Sequence, residues 1–365
     1  MTLTDHAVAV VFASPRQVEL CGIRVPEPRA DEVVVQTELT GISVGTDRWM
    51  IDGKYRGVGE RFPFVYGYQR VGKLIAVGPA VPPDARLAVG DRVFVGLSGS
   101  RLDPSDGLGE VGGGYTSVGV AHYSDVWPLG DSKDLDLAEV ALGGVAAVAL
   151  QGVEAIDVQP DELVVVIGQG MIGQVAAQLA RARGARVIAT DLLASRQEAA
   201  AKWSADRVVD PASESLPEVV LTERAGLGSP RGYGPGGPHP SRYEQGRWDS
   251  VDGGADAVID TAGSARLVGD WVALLRRGGR LCLQAYYPDP LVLDFHAIHH
   301  KRLRFAFPGG FDLEGFGRVI DHLRAGRLRV APLISHRLPA SRAPEAFALL
   351  QERPDEVLGM VLDWR

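Results

Sequence analysis

A glycine-rich segment, Gly168-Gln169-Gly170-Met171-Ile172-Gly173, follows an apolar run and precedes a helical pattern. The first glycine permits a tight turn, the second lets the backbone approach a pyrophosphate, and the third lets the helix pack closely on the strand before it. The helix start also presents free N–H groups and the positive end of its dipole to phosphates. The segment therefore predicts a dinucleotide-binding loop, in which Gly168, Gly170, Met171, Ile172 and Gly173 contact the cofactor.

An acidic residue supports this prediction and bears on the choice of cofactor. Asp191 ends the next predicted strand, about 20 residues after the loop, where a carboxylate can accept hydrogen bonds from ribose hydroxyls. The same carboxylate would repel a 2′-phosphate, by roughly 4 kcal/mol per unit charge pair at about 4 Å and an effective dielectric of about 20. NAD is therefore favoured over NADP, although Arg196 can offset part of the repulsion, and a solvated Asp in a turn is the alternative.

The composition predicts a globular protein of two domains. A chain of 365 residues is too long for one ordinary core, and 45% hydrophobic with 23% charged residues is typical of globular proteins. A net charge of −8 argues against a nucleic-acid partner. We see neither a leader nor a membrane-length apolar run, so we expect a cytoplasmic protein without a membrane partner. Two cysteines are too few for a disulfide framework or a multi-cysteine zinc site.

The pattern of the chain changes near residue 153. Before it, short β-type runs broken by Gly and Pro, at 7–12, 32–39, 72–77, 92–95 and 115–120, predict a compact barrel-like domain. After it, strands and helices alternate, and six candidate strands are the number of a complete dinucleotide-binding sheet. Beyond Pro308 we predict a helix, an extended piece, a helix and a final strand, all belonging to the first domain. The six sheet strands are predicted at 164–167, 186–190, 207–209, 257–260, 280–284 and 303–307.

The stretch 226–254 is rich in Pro and Gly and is too long for a routine connection. It is predicted to be a disordered excursion, and a lid or interface loop is the alternative.

Several motifs resemble landmarks of the medium-chain dehydrogenase/reductase superfamily, and the likeness covers nearly the whole chain. It implies an α/β protein with a discontinuous GroES-like barrel domain, 1–152 and 308–365, and a Rossmann domain, 153–307. The Rossmann domain has a doubly wound parallel sheet and holds the insertion 226–254. The motifs are Thr40-Gly41-Ile42-Ser43-Val44-Gly45-Thr46-Asp47, Phe62-Pro63-Phe64-Val65-Tyr66-Gly67-Tyr68-Gln69-Arg70-Val71-Gly72, Val89-Gly90-Asp91-Arg92-Val93 and Gly112-Gly113-Gly114-Tyr115.

Within the superfamily, the chain is similar to the bacteriochlorophyllide dehydrogenases, which oxidise a hydroxyethyl side chain on a chlorin to an acetyl group. The shared features are a Gly-Ile-Ser-x-Gly-Thr motif, the segment 287–295 followed by Arg302-Leu303-Arg304, and the ending 360–365.

Zinc-dependent members of the superfamily carry Cys in the first motif and His-Glu in the second. Here Ser43 or Val44 stands at the first position, Tyr68-Gln69 stands at the second, and the cysteine-rich lobe for structural zinc is absent. A catalytic zinc ion would act as a Lewis acid. We therefore expect no metal, and we expect side chains to handle the proton at the substrate oxygen.

The resemblance implies that four hydroxyl residues, Ser43, Thr46, Tyr55 and Tyr68, are the catalytic candidates. Thr46 matches the relay hydroxyl of zinc alcohol dehydrogenases, Tyr55 follows Gly53 as a catalytic tyrosine does in zinc-independent enoyl reductases, and Tyr68 replaces the lost zinc-ligand His. A nearby positive charge can lower a tyrosine pKa from about 10 and make the phenol a general acid or base. The alternative is a tyrosine that only packs against the site. Asp47 is expected to form an ion pair with Arg48 or Arg70, and the alternative is that it orients a neighbouring residue.

Two further loops are expected at the cofactor, because ligands of such sheets lie beyond the carboxyl ends of the strands. The fourth strand ends at Asp260 and the fifth at Gln284. The loop residues predicted to contact the cofactor are Thr261, Ala262 and Gly263 near the adenosine-side ribose, and Ala285 and Tyr286 near the nicotinamide.

Together these features predict a zinc-independent NAD-dependent oxidoreductase that interconverts a secondary alcohol and a ketone on a fairly bulky small molecule. The alternatives are an NAD(P)H-dependent reductase of an activated carbon–carbon double bond and a non-catalytic dinucleotide-binding protein. Relatives pair through the last strand of the sheet, so the resemblance also implies a homodimer formed at 303–307, where an apolar edge would otherwise be exposed.

Overall fold

The computed structural model describes residues 6–55, 61–96, 100–227 and 253–365. It divides into two compact units, Met1–Ala147 with Phe311–Arg365, and Val148–Gly310. The junctions predicted from the sequence lie at 152/153 and 307/308. Most of the predicted insertion 226–254 lies outside the described residues. Within the described ranges no helix combines the length and the apolar character that crossing a membrane requires.

The strands and helices are numbered in chain order. The strands are β1 His6–Ser14, β2 Gln17–Arg24, β3 Glu32–Ile42, β4 Phe64–Val65, β5 Gln69–Val77, β6 Arg92–Gly96, β7 Gly109–Glu110, β8 Val118–His122, β9 Val126–Pro128, β10 Leu163–Ile167, β11 Arg186–Thr190, β12 Arg207–Val209, β13 Ala255–Asp260, β14 Leu275–Leu283, β15 Arg304–Ala306, β16 Ile334–Pro339 and β17 Gly359–Asp363. The α-helices are α1 Val44–Ile51, α2 Leu137–Ala141, α3 Gly143–Ala155, α4 Met171–Ala182, α5 Ala194–Ala199, α6 Leu216–Leu227, α7 Val268–Leu274, α8 Phe295–Lys301, α9 Leu313–Arg324 and α10 Ala343–Glu352.

The first unit contains two sheets that share a core of aromatic and β-branched side chains. The smaller sheet has the order β2-β1-β4-β7, and the larger has the order β16-β17-β3-β5-β6-β9, with β8 also paired to β3. Phe12 meets Phe64 and Phe347 edge to face, with ring centroids 5.3 and 5.1 Å apart. Such contacts stabilise a core beyond the burial of apolar area. The C-terminal strand β17 pairs antiparallel with β3, so that Met360 lies opposite Ile42.

The strand pattern of the first unit differs from the prediction in two respects. Strand β8 begins at Val118 rather than at Tyr115, because the Tyr115 backbone bonds to Tyr66 and Val10 outside a regular ladder. The sequence pattern also misses four strands. Two of these have only two residues each, and no periodicity can be read from so short a segment; the missed strands are β2, β4, β7 and β9.

The second unit contains one parallel six-stranded sheet with the order β12-β11-β10-β13-β14-β15. The predicted doubly wound sheet is therefore confirmed. All five residues of β10 are buried, as expected for a central strand covered on both faces. Because β11 and β13 flank β10 on opposite sides, the strand order reverses at the carboxyl end of β10, where ligands of such sheets bind.

A buried carboxylate connects the end of β3 to the rest of the first unit. Asp47 is fully buried in α1, and its oxygens accept hydrogen bonds from the Ser43 N–H at 2.9 Å and the Tyr115 hydroxyl at 2.6 Å. The expected ion pair with Arg48 or Arg70 is therefore wrong. Hydrogen-bond donors that are themselves buried satisfy this carboxylate, and they fix the backbone at Ser43.

Burial raises the pKa of Asp47 from 3.8 to about 7. Between these two values the folded protein holds the Asp47 proton more tightly than the unfolded chain does. The free energy of unfolding should therefore fall as pH rises from about 4 to about 7, by at most about 1.4 kcal/mol per pH unit from this group. In Asp47→Asn this contribution to the slope should disappear, as measured by denaturant unfolding across that range.

The exposed Asp84 provides the control. Asp84→Asn should keep the wild-type pH dependence. Parallel profiles for wild type and Asp47→Asn would contradict the assignment of a raised pKa to Asp47.

Candidate functional site

The first unit brings three of the four predicted catalytic hydroxyls together. Ser43 follows β3 directly and precedes α1, and its Oγ lies 3.2 Å from Thr46 Oγ1, one turn along the helix. Tyr68 stands just before β5 and hydrogen-bonds to the Ser43 side chain. Ser43 is buried, whereas Thr46 and Tyr68 are half-buried. The three hydroxyls therefore form a short chain that leads from a buried position toward the surface.

Tyr68 stays neutral near pH 7. Burial is the largest influence on Tyr68 and raises its pKa above the ordinary value of 10, while the hydrogen bond to Ser43 acts in the opposite direction. Asp47 and Tyr55 raise the pKa of Tyr68 further. The expectation that a positive charge lowers this pKa is wrong. A neutral phenol can donate a hydrogen bond to a substrate oxygen but does not act as a ready base.

Tyr55 is half-buried and packs against the aromatic core of the first unit. Its electrostatic effect on Tyr66 and Tyr68 places it near the same hydroxyl groups. We define the hydroxyl cluster as Ser43, Thr46, Tyr55 and Tyr68.

The donors at the positions of the zinc ligands do not fit zinc. Zinc prefers thiolate, imidazole and carboxylate ligands. The positions hold instead the hydroxyl of Ser43 or the aliphatic side chain of Val44, the phenol of Tyr68 and the amide of Gln69. The Gln69 carbonyl oxygen already accepts a hydrogen bond from the Val145 N–H at 3.0 Å. Across the described ranges no group of three or more His, Cys, Asp or Glu could hold a metal ion.

The second unit places the glycine loop at the carboxyl end of β10. Gly168 has φ +83°, a left-handed conformation that favours glycine. A Cβ on Gly173 would lie 1.9 Å from the Gly168 carbonyl oxygen, so this position admits no side chain. A Cβ on Gly170 would meet nothing within 4 Å, which leaves open space beside the loop. Met171 and Ile172 form the start of α4, and no side chain caps that helix. The first N–H groups are therefore available to an anion.

The acidic residue after β11 folds back onto the loop. Asp191 accepts hydrogen bonds from the Gln169 N–H at 2.6 Å and the Leu193 N–H at 2.9 Å. Because a carboxylate has about four acceptor positions, it can still accept bonds from ribose hydroxyls. Arg196 Nη1 lies 3.7 Å from the Asp191 carboxylate.

The loops after β13 and β14 contact each other. Gly263 has φ +71°, and a Cβ there would lie 2.9 Å from the Tyr286 carbonyl oxygen and 3.1 Å from Ala285 Cβ. The Thr261 hydroxyl donates to the carbonyl oxygens of Ile167 and Gly168, each at 2.9 Å. It thereby ties this loop to the glycine loop. The Ala262 N–H bonds to the buried Asp260. The predicted cofactor residues therefore surround the carboxyl ends of β10, β11, β13 and β14.

Sequence reasoning missed the hydrogen-bond partners of the buried acidic residues that hold both sites. In the first unit Asp47 hydrogen-bonds to the Tyr115 hydroxyl, and in the second unit Asp260 hydrogen-bonds to the Tyr287 hydroxyl. Desolvation raises the pKa of Asp260. The only sequence signal is that each acidic residue follows an apolar strand or a glycine-rich motif, a position common to many solvated turns.

Two family models match the chain in separate regions. Residues 29–131 match the alcohol dehydrogenase GroES-like domain, and residues 172–312 match the zinc-binding dehydrogenase family.

Full-length relatives support the same assignment. The chain is 27% identical over 368 residues to 2-desacetyl-2-hydroxyethyl bacteriochlorophyllide A dehydrogenase of Cereibacter sphaeroides, covering 99% of each protein. Its fold is similar to that of the alcohol dehydrogenase RspB of Escherichia coli CFT073 complexed with NADH, with TM-score 0.79, 21% identity and coverage of 99% and 100%. It is also similar to a zinc-binding dehydrogenase of Sinorhizobium meliloti 1021 bound to NADP, with TM-score 0.77, 23% identity and coverage of 99% and 100%.

The GroES-like and Rossmann fold class predicted from the sequence is confirmed, and so is the prediction of an oxidoreductase. The chain belongs to the medium-chain dehydrogenase/reductase superfamily.

Proposed function

We propose that the chain is an NAD(H)-dependent oxidoreductase that interconverts a secondary alcohol and a ketone on a fairly bulky small molecule, without catalytic zinc. The hydroxyl cluster carries this proposal. It combines Ser43 with Thr46 and Tyr68, each hydrogen-bonded to Ser43, at the positions where zinc-dependent relatives hold or adjoin the metal.

The hydroxyl cluster has the chemistry that alcohol oxidation requires of the protein. A neutral Tyr68 donates a hydrogen bond to the substrate oxygen, and Ser43 Oγ accepts the proton that leaves the alcohol. Ser43 then passes its own proton to Thr46 Oγ1, 3.2 Å away, and from the half-buried Thr46 it reaches water. In ketone reduction the same groups return the proton to the substrate oxygen.

The residues of the glycine loop fit a nicotinamide dinucleotide, and relatives of the same fold have been solved with NADH and with NADP. When bound, this cofactor supplies the acceptor or donor of the hydride. The N–H groups at the start of α4 hold its pyrophosphate beside the open space at Gly170, and Asp191 accepts bonds from ribose hydroxyls.

The preference for NAD over NADP rests on the charge of Asp191. Its side chain is only 7% exposed, so water screens it weakly, and a 2′-phosphate beside it would meet a like charge. Arg196 lies close enough to reduce this repulsion without removing it.

The alcohol substrate is supported by the full-length relative, whose name specifies a dehydrogenase of a hydroxyethyl group. That relative's substrate is a chlorin, which supports a bulky molecule here. A cytoplasmic location stays a prediction from the sequence.

We also propose a homodimer that forms along β15. This strand is at the edge of the described six-stranded sheet, and Phe307, which follows it, is 64% exposed. Its ring stacks on Phe305, with centroids 6.3 Å apart. An apolar sheet edge of this kind is usually covered by another strand.

Substitution of Asp191 tests the choice of cofactor. In Asp191→Ser, the ratio of kcat/KM with NAD to kcat/KM with NADP should fall by roughly 10- to 100-fold, because the repulsion of a 2′-phosphate is lost. Arg196→Met should shift the ratio in the opposite direction. An unchanged ratio in Asp191→Ser would contradict this role of Asp191.

Steady-state kinetics on a bulky secondary alcohol and its ketone test the reaction. Ser43→Ala should lower kcat by roughly 10²- to 10⁴-fold, the usual effect of losing a positioned proton-transfer group. Tyr68→Phe should lower kcat by roughly 10²- to 10³-fold, because the substrate oxygen loses a hydrogen-bond donor. Removing metal with a chelator should leave turnover unchanged.

Tyr123→Phe is the control, because Tyr123 packs against a different core cluster of the same unit. A requirement for stoichiometric zinc would disprove the zinc-independent reaction. Turnover of enones alone would favour a double-bond reductase, and tight NAD binding without any turnover would favour a non-catalytic protein.

The molar mass in solution tests the dimer. Light scattering should give twice the chain mass of 39.0 kDa for the wild type. Phe307→Lys should shift the protein toward monomer, because the dimer would have to bury the charge of the new lysine at the sheet edge. Val89→Lys is a matched control in the first unit, since Val89 is 66% exposed. A monomeric wild type would rule out the proposed dimer.

A further inference from the structure

Inside the first unit lies an arginine that has no counterion within the described ranges. Arg70, on β5, has the largest side chain among the fully buried residues, and it is 0% exposed. Its Nη1 donates to Thr116 Oγ1 at 3.1 Å. Its Nε and Nη2 have no hydrogen-bond partner among the described residues. Two donors of a buried cation therefore have no acceptor in the part of the chain that the structure describes.

No described carboxylate neutralises this charge. Asp47 is occupied by Ser43 and Tyr115, and Glu32 is paired with Arg101 at 2.8 Å. Burial lowers the pKa of Arg70 to about 10, which still leaves the guanidinium charged at neutral pH. An unpaired charge in a protein interior is strongly unfavourable, and the usual solutions are a counterion or a bound ion.

A second orphan donor lies beside Arg70. Ser100 is 2% exposed, and its Oγ has no hydrogen-bond partner among the described residues. A Cβ on Gly119 would come within 2.2 Å of Arg70 Nη1 and within 2.1 Å of Ser100 Oγ. The guanidinium and the hydroxyl therefore both lie against Gly119, where no side chain separates them.

We propose that Arg70 and Ser100, with Thr116 beside them, bind a small monovalent anion such as chloride inside the first unit. The two free guanidinium N–H groups and the Ser100 hydroxyl can each donate a hydrogen bond. Three donors suit an anion such as chloride, which carries no proton and only accepts hydrogen bonds. The ligand must be small, because all three side chains are buried. A water molecule could accept these bonds, but it would leave the positive charge uncompensated.

This anion site is separate from the proposed reaction. Arg70 is absent from the hydroxyl cluster and from the glycine loop, and the site's occupancy is measured without turnover. A failure of the alcohol dehydrogenase proposal would therefore not affect the proposed anion site. A failure of the anion site would likewise not affect the proposed reaction.

Thermal unfolding of the full chain tests the site. At constant ionic strength, replacing sodium gluconate by sodium chloride should raise the Tm of the wild type in a saturable manner, because the anion binds only the folded state. Arg70→Met should abolish the chloride-specific rise. Ser100→Ala should move its midpoint to several-fold higher chloride.

Arg101→Met is the matched control, since it removes an arginine of the same unit that has a carboxylate partner, and it should keep the chloride response. Bromide provides a measurement that does not depend on the folding of a variant. Crystals of the wild type grown with bromide should show an anomalous peak beside the Arg70 guanidinium.

Equal Tm values in chloride and gluconate, or no anomalous peak at Arg70, would overturn the proposal. A chloride response that persists in Arg70→Met would overturn it as well.

Discussion

The hydrogen bonds of the Asp47 carboxylate are the constraint on which the first unit's site depends. They join the start of α1, the backbone after β3 and the segment around Tyr115, three parts of the chain that are distant in sequence. A carboxylate removed from water must find donors, and the arrangement of these segments supplies them. The position of Ser43 follows from this arrangement. Its hydroxyl then faces Thr46 and Tyr68 rather than capping α1.

In the second unit, a close approach between two backbone segments fixes the position of the glycine loop. The carbonyl oxygen of Gly168 lies against the α-carbon of Gly173, and it also accepts a hydrogen bond from Thr261. These contacts hold α4, β10 and the loop after β13 in a fixed arrangement. Asp191 adds a further bond to the Gln169 N–H. The loop is therefore shaped by the protein itself, and a dinucleotide needs to supply little of the ordering free energy.

The sequence was sufficient to predict the features that depend on a local pattern of residues. The glycine spacing, the six parallel strands and the acidic residue after β11 follow from periodicity and from turn chemistry within short segments. The sequence was insufficient to predict hydrogen bonds between residues that are distant along the chain. The bond between Asp47 and Tyr115 joins residues 68 positions apart, and no local signal distinguishes it from an ion pair with the neighbouring Arg48. Arg70 looks like an ordinary strand residue until its burial is known. The two-residue strands β4 and β7 likewise exist only because β1 and the neighbouring backbone pair with them.

The pairing of β17 with β3 has a consequence for how the chain is made. Strand β3 leads directly into Ser43, yet its neighbour β17 is formed by residues 359–363, and Trp364 bonds to Thr40 Oγ1 at 3.0 Å. During synthesis from the N-terminus, all segments of the second unit leave the ribosome before this neighbour does. The edge of β3 that pairs with β17 therefore stays unpaired until the whole second unit has been synthesised. The second unit can fold before the sheet next to the hydroxyl cluster is complete.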